Sequence, residues 1–233
     1  MKKITAFLSF MLFVGLGFCW GYTRDEANRG KVLGLTQAPA LKAPPQAAKQ
    51  PQWKSREEYD AFTAMAGEKN PQKKVSLAEA FLQKYSNSDF KANACVLMAQ
   101  TYQQLRQGDK AIDAGRKALE ADPDNLDALS YLSFVFPFVF KAADPDATTQ
   151  LSRAESDARH GLEVLAKLQK PPNVAEDQFN QAVKGRRSVF NSAIGFVALQ
   201  RKDYAGALAA LKLAGEDNPS DVYTFYRMGL AYL

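Results

Sequence analysis

The chain of 233 residues contains a single histidine, His160, with Asp157 one helical turn before it. Together with a serine, such a pair could form a hydrolytic triad, in which the imidazole accepts the proton of the nucleophile and the carboxylate orients the ring. A triad requires its members to converge in a pocket. The neighbouring positions instead carry the charges of an exposed helix face: Arg153, Glu155, Arg159 and Glu163. We therefore predict that this pair is not catalytic and that the chain is not an enzyme.

Two acidic segments, Asp122-Pro123-Asp124 and Asp144-Pro145-Asp146, offer the oxygen ligands that calcium prefers. They lack the ligand spacing of a calcium loop, and a role in helix capping explains them. A structural zinc site uses about four cysteine or histidine ligands, whereas the chain has two cysteines and one histidine. The glycine-rich motifs that bind nucleotides are also missing from the sequence. We predict no metal and no cofactor.

Lys184, Arg186 and Arg187 form the one dense basic cluster after residue 53. A nucleic-acid patch would need more positive charge and interleaved aromatic residues. The whole chain carries 30 basic and 25 acidic residues, a net charge of +5, which is too small to indicate a nucleic-acid partner. We predict that the cluster is a solvated helix face.

The N-terminus has the pattern of a secretory signal peptide. Lys2 and Lys3 precede an apolar stretch of 17 residues, Ile4 to Trp20, and a helix that spans a bilayer needs about 20. We predict a signal peptide at 1–21 and an exported protein in the periplasm or cell envelope. Two membrane-anchored alternatives remain open: a lipid on Cys19, although Phe18 before it is not small, or an uncleaved anchor.

Residues 22–52 have no sustained apolar periodicity and contain several prolines among alanine, glutamine and lysine. Such a stretch cannot bury enough surface to offset the entropy of ordering it, so we predict a disordered linker. Removal of the leader leaves Cys95 as the only cysteine. We expect Cys95 to be a small buried apolar residue rather than a reactive thiol.

The rest of the chain repeats itself with a period of 34 residues. Cys95, Met98, Ala99 and Tyr102 correspond to Leu129, Leu132, Ser133 and Phe136; Asn191, Ile194, Gly195 and Ala198 correspond to Phe225, Met228, Gly229 and Tyr232. These positions share one stripe of a helix. A second helix follows, with small residues in the stripes Ala111–Gly115–Ala118 and Ala207–Leu211–Ala214, and then a proline, Pro123 or Pro219. Alanine is abundant, with 36 residues, which favours closely packed helices.

This pattern resembles the tetratricopeptide repeat (TPR), whose units of about 34 residues are helix pairs. The resemblance implies an all-α fold, a right-handed α-solenoid of antiparallel helix pairs, over residues 53–233. We expect a divergent repeat at 57–91, repeats at 92–125 and 188–221, a repeat with insertions at 126–187, and a partial one at 222–233. Since the chain ends inside a repeat, we expect it to be a fragment of a longer protein.

The central unit is longer than the others, because 62 residues separate Leu129 from Asn191. Insertions shift the curvature of a solenoid without breaking it. We predict that Asp144-Pro145 starts a helix that runs to about Gln169. Asn173 after two prolines should cap the next helix, which we extend unbroken from Val174 to about Gln200.

The segment 134–140 alternates phenylalanine with valine and proline. We expect a buried helix end, because the inner helices of a solenoid are apolar on all sides. The alternative is an exposed aromatic lip that anchors a partner.

In TPR proteins the first helices of successive repeats line a groove that holds a partner segment, and the resemblance implies the same here. The corresponding positions are Gln100, Gln103, Gln104, Ser130, Phe134, Phe138, Ser192, Phe196 and Tyr226. None is the lysine or asparagine with which some members clamp a terminal carboxylate, so we expect a neutral or apolar peptide. The function predicted is that of an exported, non-catalytic protein-binding scaffold. The alternatives are a docking module of a larger enzyme that continues beyond Leu233, or a structural envelope-assembly protein.

The leader predicts a mature N-terminus near Tyr22, because the apolar stretch is short and charged residues follow it at 24–26. Mass spectrometry of the exported protein should detect that terminus. An intact Met1, or a lipid on Cys19, would contradict the prediction.

Overall fold

The structure, a computed structural model, describes residues 51–233, and these residues form nine α-helices and no β-strand. The helices are α1 (Arg56–Gly67), α2 (Pro71–Lys84), α3 (Lys91–Gln104), α4 (Gly108–Ala121), α5 (Leu126–Val139), α6 (Ala147–Ala166), α7 (Glu176–Gln200), α8 (Tyr204–Asp217) and α9 (Val222–Tyr232). None of these helices combines the length and apolar content needed to cross a bilayer. The predicted signal peptide, and the predicted linker up to residue 50, lie outside the described residues.

Polar side chains cap several helices at their first turn. Ser55, Asn70 and Asn125 each accept a hydrogen bond from the backbone N–H three residues later, at distances of 2.9–3.1 Å. Asp203 caps α8 in the same way. Each such bond satisfies one of the N–H groups that a helix start leaves without a partner.

The helices pack in chain order. Each helix contacts the next one, and the odd-numbered helices also contact one another, α3 with α5, α5 with α7 and α7 with α9. The first helices of successive pairs therefore lie side by side. The divergent stretch at 57–91 also holds a pair, α1 and α2, in which Phe62 and Phe81 are buried and contact each other edge to face.

The turn inside a helix pair has the same geometry in two distant places. Arg106, between α3 and α4, and Lys202, between α7 and α8, both adopt the left-handed conformation, with φ of 57° and 63°. The N–H groups of Gln107 and Asp203, one residue later, each donate to the carbonyl five residues back, at 2.9 Å. This arrangement is a Schellman motif, which usually places glycine at the left-handed position. The two turns are 96 residues apart, which is one 34-residue period plus the 62-residue central unit.

Small residues lie where paired helices cross, as predicted. Ala99, Ala111, Ala118, Gly195, Ala207 and Ala214 are all buried. A Cβ atom on Gly195 of α7 would stand 2.5 Å from Cγ of Leu211 on α8. The helices can therefore approach this closely only if the residue has no side chain.

The buried core consists of separate clusters, each of which joins neighbouring helices. One contains Leu129 of α5, Ala158 and Leu165 of α6, and Phe190 and Ala193 of α7. Others join α3, α4 and α5, or α8 and α9. Stability therefore depends on contacts between successive helices, as in repeat proteins.

The predicted start of the helix at Asp144-Pro145 was wrong, because α6 begins at Ala147 and ends at Ala166. The N–H of Ala147 donates to the Asp144 carbonyl at 3.0 Å, and the N–H of Asp144 donates to Lys141 in the same manner. These bonds form successive turns, so the Asp144 side chain is placed before the helix rather than at its cap.

The following helix is unbroken to Gln200 as predicted, but it begins at Glu176 rather than Val174. Asn173 does not cap it. The N–H of Val174 donates to the Pro171 carbonyl at 3.2 Å, which places Asn173 inside a turn. The backbone at Ala175 is then extended before the helix begins.

Helix α9 packs against α7 and α8 among the described helices, and much of its apolar surface faces water. The stripe predicted to be partly exposed is so: Phe225 is 46% and Tyr232 is 64% accessible, while Met228 is half-buried. Cys95, by contrast, is buried as predicted, and burial raises the pKa of its thiol.

We predict that Gly195→Leu destabilises the fold by about 1–3 kcal/mol, because the new side chain must occupy space filled by Leu211. Gly185→Leu is the matched control, since it lies on the same helix and a Cβ there meets no atom within 4 Å. Chemical unfolding followed by circular dichroism measures both variants. Equal stability of the two would mean that the crossing is not at Gly195.

We also predict that amide hydrogens of α9 exchange faster than those of α8, because α8 buries Ala207, Leu211 and Ala214 completely. Helix α4 is the internal control and should be protected at least as well as α8. Hydrogen exchange read by mass spectrometry resolves the three helices. Equal protection of α8 and α9 would refute the prediction.

Candidate functional site

A concavity of about 310 Å³ lies where α5, α7 and α9 come together. Its lining consists of Ser133, Phe134, Pro137 and Phe138 from α5, Val189, Ser192 and Ala193 from α7, and Asp221, Tyr223 and Arg227 from α9 and its cap. All three helices are first helices of their pairs. The volume is at the lower end of the range for small-molecule sites, about 300–1,000 Å³.

Aromatic rings form one edge of this concavity. Phe134 and Phe138 are 45% and 50% exposed, and their centroids lie 5.6 Å apart. The Phe138 ring also contacts that of Tyr223 on α9 edge to face, at 5.1 Å. These three rings, which we call the aromatic row, form a continuous apolar strip from α5 to α9.

The segment 134–140 is therefore not the buried helix end that we expected. Phe136 is buried and Phe140 is half-buried, and both contact Phe196 of α7. Phe134 and Phe138 point away from that cluster, because residues two apart on a helix lie on nearly opposite faces. The exposed rings agree with the alternative, an aromatic lip.

A polar chain runs beneath the aromatic row and joins α9 to α7. Asp221 caps α9 and accepts a hydrogen bond from the Thr224 hydroxyl at 2.6 Å. The Thr224 and Ser192 hydroxyls lie 2.9 Å apart, and Arg227 donates to Ser192 at 3.0 Å. Since the Thr224 proton is used on Asp221, Ser192 must donate to Thr224. Every bond therefore runs in one direction, from the guanidinium to the carboxylate.

Arg227 is the one cation of this lining. Its guanidinium carbon lies 5.3 Å from the centroid of the Phe196 ring. Burial lowers the pKa of the guanidinium, and the charge of Asp221 opposes that shift. An arginine nevertheless stays charged in proteins. No carboxylate of residues 51–233 forms an ion pair with it.

The wall formed by α5 has hydrogen-bonding capacity that the described residues do not use. The hydroxyl of Ser133 is buried and has no partner among them. Pro137, four residues later, has no N–H group, so it cannot donate to the Ser133 carbonyl as the helix pattern would require. Buried polar groups of this kind usually find a partner.

The structure brings together some of the residues predicted to form the groove. Phe134, Phe138 and Ser192 line the concavity, and Phe196 is buried beneath Arg227. Tyr226 is 66% exposed on α9 but is not part of the lining. The remaining four, Gln100, Gln103 and Gln104 on α3 and Ser130 on α5, also lie outside the lining. A binding role for this set stays a prediction.

Sequence reasoning missed Tyr223 and Arg227. The signal for Arg227 was present, because it is the one charged residue of α9. Tyr223 and Val189 are 34 residues apart, as are Arg227 and Ala193, so α7 and α9 contribute the same repeat positions to the concavity.

The basic cluster on α7 is not the solvated face that we predicted. Arg186 forms an ion pair with Asp127 of α5 at 2.6 Å. Arg187 donates two hydrogen bonds of 2.5 Å to the carboxylate of Asp217 on α8. The turns before α7 extend its N-terminal half alongside both helices, so these side chains join elements instead of facing water.

His160 and Asp157 also have separate partners. His160 lies 2.7 Å from the Asp124 carboxylate, before α5, while Asp157 pairs with Arg116 of α4. The two side chains therefore tie α6 to its neighbours and do not converge on a serine. No group of three potential ligands that could hold a metal ion occurs in residues 51–233.

Neither a protein-family model nor a curated protein matches the sequence. A similar solved structure is described as "Assembly Chaperone of RpL4 (Acl4) (Residues 1-338)". The superposition has a TM-score of 0.53 at 14% sequence identity and covers 75% of this chain and 67% of that one. At this identity the likeness shows the fold alone. Together with the nine helices of residues 51–233, it supports a TPR-like helical repeat.

Proposed function

We propose that this chain is a non-catalytic protein-binding scaffold, which holds a segment of a partner protein in the concavity between α5, α7 and α9. The observation that carries the proposal is the aromatic row, because three large rings lie exposed at one concave place on the surface. Exposed aromatic side chains of this kind anchor partners at protein interfaces.

The arrangement of the helices supports the same function. The odd-numbered helices lie side by side and supply the whole lining, which is how a right-handed TPR-like solenoid would present a groove. The similar solved structure is described as an assembly chaperone of a protein, RpL4. A partner segment that is at least partly apolar fits the row of rings.

We further propose that the scaffold acts outside the cytoplasm, in the periplasm or cell envelope. This location rests on the basic and apolar pattern of residues 1–21.

Selection of random 12-residue peptides displayed on phage, with the immobilised full chain as target, tests the binding function. We predict that enriched peptides contain large apolar residues. The double variant Phe134→Ser/Phe138→Ser should bind them about tenfold or more weakly, because central aromatic residues dominate interface energies.

The matched control is Tyr204→Ser, which removes an aromatic ring of similar exposure, 48%, from α8. Its affinities should equal those of the wild-type chain. Failure to enrich any peptide, or equal binding by the double variant, would refute the proposed function.

A further inference from the structure

The lining of the concavity combines apolar rings with one cation whose charge is not neutralised locally. Asp221 is the acidic residue of the lining, and it reaches Arg227 only through the hydroxyls of Thr224 and Ser192. An arginine without an ion pair, set against apolar rings, leaves part of its attraction for an anion unused.

Arg227 is also held in a fixed position. One N–H group donates to Ser192, the hydrogen-bonded chain behind it ends on a carboxylate, and the Phe196 ring lies against the guanidinium. A guanidinium has five N–H donors in a planar fork that matches a carboxylate. One donation to Ser192 leaves further donors for a ligand, and the fixed position reduces the entropy that binding would cost.

The aromatic row begins one helical turn from this cation, because Tyr223 precedes Arg227 by four residues on α9. Successive rings lie 5.1 and 5.6 Å apart. An extended chain advances about 3.3 Å per residue, so the row offers contacts to about three residues. A segment that follows the rings can thus place a side chain at Arg227 while its apolar neighbours contact the row.

We propose that the concavity selects an acidic side chain, aspartate or glutamate, that stands beside large apolar residues in the partner segment. This inference rests on the proposed function and adds the charge of the partner, which the sequence did not indicate. The carboxylate pairs with Arg227, and the apolar neighbours contact Phe134, Phe138 and Tyr223. The Ser133 hydroxyl can donate a further hydrogen bond to the segment.

The peptides selected on the full chain provide the test. Aspartate or glutamate should be enriched within two positions of an aromatic or large aliphatic residue. An enriched peptide, synthesised with an amidated C-terminus, is then compared with its Glu→Gln counterpart. Loss of the carboxylate should weaken binding to the wild-type chain about tenfold.

The variant Arg227→Gln should bind both peptides alike, at the level of the Gln peptide on the wild-type chain, whereas Arg153→Gln should behave as wild type. Arg153 is the matched control because it is exposed on α6, away from the lining. The Glu and Gln comparison on the unaltered chain needs no variant, so the test holds even if Arg227→Gln fails to fold.

Three outcomes would overturn this inference. Peptides that depend on Phe134 and Phe138 but show no acidic preference would refute the charge selection and leave the proposed function standing. An equal loss from Glu→Gln on wild type and Arg227→Gln would assign the carboxylate to another residue. A Gln peptide that regains affinity when its C-terminus is free would show that the site takes a chain terminus. Failure to enrich any peptide would refute both proposals.

Discussion

The close approach of neighbouring helices is the constraint on which the rest of the structure depends. At Gly115, Gly161 and Gly195 a Cβ atom would stand 2.3–2.8 Å from a side chain of the next helix. The absent side chain is what allows a large apolar residue of the neighbour to fill the crossing, and it does so between α4 and α5, α6 and α7, and α7 and α8. Packing of this density leaves no room for an added methyl group. Without these crossings the odd-numbered helices could not lie side by side, and no concavity would form between them.

Helix α5 serves both the core and the surface because its two aromatic pairs point in opposite directions. Phe136 and Phe140 close a cluster with Phe196, which attaches α5 to α7. Phe134 and Phe138, turned the other way, start the aromatic row. The rigidity of the inner pair fixes the position of the outer pair, so the exposed rings belong to a packed helix and not to a loop. A site built on such an element changes shape little when a partner binds.

Polar contacts that cross between helices fix the relative positions of α5, α7, α8 and α9. Arg186 and Arg187 attach the long helix α7 to α5 and α8, and the hydroxyl chain from Asp221 attaches α9 to α7. The second attachment has a consequence for recognition. It uses the negative charge of Asp221 to orient Arg227 from a distance without forming an ion pair, and the cation remains available at the concave surface.

The sequence by itself determined the helices, the register of their small residues and the aromatic positions of α5, because these depend on a period of about 3.6 residues within each helix. It misplaced the starts of α6 and α7, where turns after Asp144 and Asn173 compete with capping. Only the tertiary structure decided which rings are exposed, where the basic residues of α7 find carboxylates, and that Arg227 meets Ser192, 35 residues before it. Such meetings depend on the rotation of one helix against another, which is set by side chains that pack across the crossing and not by local periodicity.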